Sequence, residues 1–125
     1  MKVFLETEAK LYVQHNIRNG IYDLIWSYML DFENSDNPYD NRRDAIKLWK
    51  DIAAVQCKSS PAILETGRKI MTMGVSHKDA LHLSCAIHSQ CDYFISTDIK
   101  LLKKQINGIK LVSPIEFIDA TEVGL

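Results

Sequence analysis

The chain has 125 residues, 46% hydrophobic and 25% charged, a globular balance that excludes disorder and fibrous repeats. Lys+Arg number 15 and Asp+Glu 16, so the net charge of −1 excludes a bulk-basic nucleic-acid coat while leaving room for local basic patches. No apolar run approaches the roughly 18 residues of a membrane span, and MKVFLETEAK lacks a signal-peptide core. A soluble, cytoplasmic single domain over residues 1–125, with no membrane partner, is expected.

From Leu5, the residues Ala9, Tyr12, Val13, Asn16 and Ile17 recur at three- and four-residue steps, which predicts an amphipathic helix stopped by Gly20. The apolar, aromatic run Ile21–Ser27 reads as a buried strand. A second helix begins at Tyr28 and breaks at the turn-rich Asn34-Ser35-Asp36-Asn37-Pro38. From Asn41 to Val55 a further helix carries Ala45, Leu48, Trp49 and Ile52 on one face, with Arg42, Arg43, Lys47 and Lys50 elsewhere.

Ser60-Pro61 supplies an N-cap and a first-turn proline for a helix reaching Gly74. Ser76-His77-Lys78-Asp79 opens the next, with Ala80, Leu83, Ala86 and Ile87 facing inward. Cys91–Ser96 is a strand, Asp98–Lys104 a short helix, Ile109–Val112 a third strand and Pro114–Ile118 a closing helical turn. Strands separated by helices require parallel crossovers, so the expected class is α/β with a small open sheet. Leu48, Trp49, Leu83, Ala86, Phe94 and Ile95 are the expected core.

An odd set of three cysteines, Cys57, Cys85 and Cys91, does not form a disulfide framework. Cys85 and Cys91 sit in apolar sequence and read as small buried hydrophobes. His82 and Cys85 share a helical face, but His88 is rotated away and no second ligand pair is present, which argues against zinc. The histidines lack a nucleophile and an orienting partner, and there is no glycine-rich phosphate loop.

Ligands of open α/β sheets bind beyond the carboxyl ends of the strands. Asp98 follows the CDYFIS strand there, Glu33 lies six residues past Ser27, and Asp79 starts the helix that feeds CDYFIS. Carboxylates gathered on one rim repel one another unless a divalent cation stands between them, and Mg²⁺ or Mn²⁺ so held can activate water against a phosphodiester. Each acid also has a structural reading: Asp79 at a helix N-terminus after Ser76, Asp98 as an N-cap, Glu33 as a solvated residue before a turn. The clusters Lys100/Lys103/Lys104/Lys110 and Arg42/Arg43/Lys47/Lys50 could contact phosphates or simply form solvated helix faces.

The stretch KDALHLSCAIHSQCDYFISTDIKLLKK, from Lys78 to Lys104, resembles the C-terminal half of PIN domains, including VapC-like toxins. IKLVSPIEFI resembles that family's last strand and its P-x-E-F close, and WSYMLDFEN its second strand with a Ser-then-Glu signature. The likeness spans about Leu5 to Ile118 and implies a small three-layer α/β/α fold with a short parallel sheet. It also implies a metal-dependent ribonuclease acting on RNA. On that reading Glu33, Asp79 and Asp98, with Thr97 beside the last, are the family's second, third and fourth acids, holding Mg²⁺ or Mn²⁺ as catalytic and metal residues.

The family's opening strand and first Asp have no counterpart, since LETEAKLYVQ belongs to the first helix; the fold is expected to be N-terminally truncated. The alternative lays MKVFLET over that strand and puts Glu6 in the Asp position. A missing central strand exposes sheet edges, which self-association, strand exchange or an antitoxin-like partner would cover. The competing expectation is a catalytically inactive remnant serving as an interaction or RNA-binding module.

Overall fold

The computed structural model describes residues 2–122. In chain order its elements are α1 (Lys2–Arg18), β1 (Ile25–Ser27), α2 (Tyr28–Ser35), α3 (Asp40–Ile52), β2 (Val55–Cys57) and α4 (Pro61–Met71). There follow α5 (His77–His88), β3 (Tyr93–Ile95), α6 (Ile99–Leu102), β4 (Lys110–Val112) and α7 (Pro114–Thr121). The class is mixed α/β. The strands form two separate two-stranded sheets, both parallel, as helix-separated strands require: β1 with β2 and β3 with β4. The chain divides into two compact units, one from residues 23–91 and the other from the segments before and after them.

In the continuous unit, β1 and β2 pair in the register Ile25↔Val55 and Ser27↔Cys57. Serines start three of its four helices by the same physics, a hydroxyl accepting an otherwise orphaned backbone N–H. Ser27 accepts from Met29 N, Ser60 from Ile63 N ahead of a first-turn proline, and Ser76 from Asp79 N. Helices α4 and α5 form the closest helix pair of this unit. Gly67 gives Leu81 room to approach, and the buried Ser84 hydroxyl donates to Ile63 O at 2.7 Å. Met29, Ile63, Leu81 and Cys85 make a core on which Tyr28 and Cys57 also pack.

The discontinuous unit pairs α1 with α7. Ala9 and Val13 of α1 are buried, as is Phe117 of α7, which takes Tyr22 and Tyr93 edge-on at centroid distances of 4.9 and 5.3 Å. Tyr12 donates to the Glu122 carboxylate, and that bond raises the phenol's pKa above its ordinary value. Ser113 and Glu116 close a reciprocal capping box at the start of α7.

Several expectations are corrected. The helix from Asn41 ends at Ile52, and Val55 opens strand β2 instead of closing the helix. Leu48 is 66% exposed and Ile95 36% exposed, although both were expected in the core, while Leu83 and Ala86 are buried and Trp49 and Phe94 half-buried. The cause at Leu48 is the rotation of α3. Its Arg43–Lys50 side turns toward α2, where Asn34 Nδ2 donates to Arg43 O and Lys50 pairs with Asp31 at 3.0 Å. Ile95 ends a three-residue strand in a sheet of two, which leaves part of its side chain uncovered. MKVFLET is not a strand: from Lys2 it is helix α1, so Glu6 stands on a helix and the strand placement for it is withdrawn.

Candidate functional site

The site is built on α2 and α5 of the continuous unit, two helices that pack on each other. Helix α2 leaves the carboxyl end of β1 through the Ser27 cap, and its sixth residue is Glu33. On α5, Asp79 lies in the first turn and His82 three residues later, a spacing that sets both on one helix face.

His82 Nε2 meets Glu33 Oε1 at 2.6 Å, with the histidine side chain 14% and the glutamate 33% exposed. Such a short, partly desolvated contact is a strong tie, charge-assisted when the imidazole is protonated. Asp79 is half-buried; its backbone N–H is taken by Ser76, and its carboxylate meets no partner among the described residues. Asp98 belongs to the other unit, where it follows β3 and caps α6. Its Oδ1 accepts from Lys100 N at 2.9 Å and Leu101 N at 3.2 Å. Thr97 is exposed beside it.

Glu33 and Asp79 are thus carried by one unit on adjoining helices. Among the described residues no group of three or more His, Cys, Asp or Glu side chains is gathered to hold a metal ion. Two carboxylates are nonetheless a donor set of the right chemistry for Mg²⁺ or Mn²⁺, which bind through one or two carboxylates and keep several waters.

Comparison with family models, curated proteins and solved structures gives no match.

Two features of this unit escaped the sequence. The pairing of His82 with Glu33 has no local signal, because the two residues lie 49 positions apart on different helices; the Asp79–His82 spacing sets the imidazole on the face of α5 that bears Asp79 and says nothing of Glu33. The packing of Cys57 on the core that holds Cys85 has no local signal either, because it depends on the pairing of β2 with β1. Nearby, Asp31 accepts from Trp26 Nε1 at 3.2 Å and from Lys50, whose Nζ lies 6.0 Å from the indole centroid. Of the basic residues on α3, Arg43 pairs with Asp40 and bonds Asn37 O, so Arg43 and Lys50 serve the helix packing. Lys47 lines the charged cleft between α2 and α3. No helix among the described residues is long and apolar enough to cross a membrane.

Proposed function

We propose that the chain is a PIN-like, divalent-metal-dependent endoribonuclease with a small three-layer α/β/α fold. One observation carries most of the reading. Glu33 and Asp79, matched to two of the family's acids by the surrounding motifs, stand on adjoining helices of one unit, with Glu33 anchored to the helix that bears Asp79. Asp98, at the carboxyl end of another parallel strand, is the third acid of the proposal. Mg²⁺ or Mn²⁺ held by Glu33 and Asp79 would supply an activated water for attack on the phosphodiester. The protein's own part is to orient Glu33 through His82 and to leave the Asp79 carboxylate unpaired for ligation. Lys47 and the lysines around α6 are the cations proposed to hold the RNA strand, and a second copy or an antitoxin-type protein is the proposed partner.

A second reading is favoured by the same contact. Glu33 is already engaged by His82, and no three-donor group is present among the described residues. An inactive PIN remnant, acting as a protein-interaction or RNA-binding module of the toxin–antitoxin type, would retain this architecture without turnover.

Cleavage of a mixed single-stranded RNA panel with Mg²⁺, Mn²⁺ or EDTA separates the two. Metal-dependent cleavage abolished by Asp79→Asn supports the nuclease. Equal behaviour of parent and variant, with or without metal, removes it in favour of the binding module.

A further inference from the structure

Strand β2 closes its sheet, so one of its edges faces β1 and the other faces no strand. Among the described residues, no backbone bond joins Val55, Gln56 or Cys57 to anything but β1. The N–H and C=O groups turned to the far edge are therefore open donors and acceptors. The stretch is also uncovered: Val55 is 45% exposed, and Ala54, Gln56 and Lys58 are exposed as well. Open edges are commonly guarded by charge, proline or a bulge. Strand β4 of the other sheet starts with the exposed Lys110, whereas the run Ala53-Ala54-Val55-Gln56-Cys57 holds neither a charge nor a proline.

We propose that the far edge of β2 docks a second copy of this chain, the two β2 strands pairing antiparallel about a two-fold axis at Gln56. The register follows from the strand itself. Centred on Gln56, every residue finds a partner: Val55 lies opposite Cys57, Gln56 opposite Gln56, and Cys57 opposite Val55. Symmetry makes each strand accept from the donors that the other offers, and the two β1–β2 pairs join into one four-stranded sheet. Charge fits the same arrangement. Lys58, the first charge past the strand, falls opposite the neutral Ala54 of the second copy. The two Lys58 backbones stand four residue steps apart, about 14 Å at 3.4 Å per step, beyond the Debye length of about 8 Å. Parallel pairing would instead set Lys58 beside Lys58. An edge of three residues buries little area, so the dimer is weak and concentration-dependent. It locates the second copy named above as a partner and rests on none of the nuclease chemistry.

The test is sedimentation equilibrium of the full chain under reducing conditions, up to about 1 mM, with far-UV circular dichroism to confirm that each variant is folded. The parent should show a concentration-dependent dimer. Gln56→Lys and Gln56→Glu each change an exposed side chain and set like charges directly opposite each other on the axis, so each should weaken the dimer by about threefold or more. Mixing the two variants one to one should restore it, since Lys then faces Glu. A parent that stays monomeric throughout would leave the edge to a strand of another protein or to water and would overturn the proposal. So would a dimer that both Gln56 variants retain, or one that their mixture fails to restore.

Discussion

Leu81 Cδ2 lies 3.0 Å from where a Cβ on Gly67 would stand, so the closest approach of α4 to α5 depends on a missing methyl group. Leu81 is itself 4% exposed and packed in the core, which limits how far it can yield. Gly67→Ala gains about 1 kcal/mol of helix propensity but overpacks this contact by about 1–3 kcal/mol. A net destabilisation of about 1 kcal/mol is expected in urea unfolding. A midpoint above that of the parent would show that Leu81 moves aside.

The Glu33–His82 contact should be measurable as a coupling. Either His82→Ala or Glu33→Gln removes one partner of a partly buried polar pair and should cost about 1–2 kcal/mol. The double variant should cost clearly less than the sum, because the second change no longer strands a group. Strict additivity in the double-mutant cycle would mean that the contact contributes nothing.

Asp98 can be separated into its two roles. Asn caps a helix about as well as Asp, so Asp98→Asn should leave stability within a few tenths of a kcal/mol, whereas Asp98→Ala should lose about 1 kcal/mol. Both remove the carboxylate charge, so under the nuclease reading both lose metal-dependent cleavage. Full cleavage by Asp98→Asn would leave capping as the residue's role.

The buried thiol of Cys85 makes stability pH-dependent. Desolvation, reinforced by the neighbouring Cys57 thiol, raises the group from an ordinary 9.0 to about 12. Between those values the unfolded chain has lost a proton that the folded chain keeps. Stability from this group is therefore complete below about pH 9 and falls as pH rises toward 12, by at most about 1.4 kcal/mol per pH unit. Denaturant midpoints from about pH 8 to about pH 10.5 should fall more steeply for the parent than for Cys85→Ala. Parallel slopes would assign the loss to other groups.

The two faces of burial give a further contrast. Leu83 is fully enclosed, and Leu83→Ala should cost about 2–5 kcal/mol. Leu48→Gln, on the outward side of α3, should change stability by no more than about 0.5 kcal/mol. A large loss at Leu48 in thermal or urea unfolding would show that this helix face is covered in solution.

Much of the secondary structure was legible because its signals are local. Ser60-Pro61, Ser76 and Ser113-Pro114 start helices by chemistry confined to one turn, and the apolar runs around Trp26 and Phe94 became strands. Strand β2 was not legible: the helical pattern that starts at Asn41 runs on to Val55, and only pairing with β1 decides the state of Val55–Cys57. Periodicity correctly grouped Leu48 with Ile52 but could not say which way α3 turns. Bonds from Asn34 to the helix backbone and from Lys50 to Asp31 set that orientation. For the same reason the acids were visible as residues near helix and strand ends, whereas the imidazole that binds Glu33, 49 residues away, was not.

The discontinuous unit imposes an order on synthesis. The segment from Asp23 to Cys91 contains every residue of its own unit, so its contacts can form as soon as that stretch has left the ribosome. Helix α1 is made first but has to wait for its partner, since α7 is encoded at the far end and the Tyr12–Glu122 bond spans 110 residues. A chain stopped before Pro114 would keep the Glu33–His82 contact and leave Ala9 and Val13 without the helix that buries them.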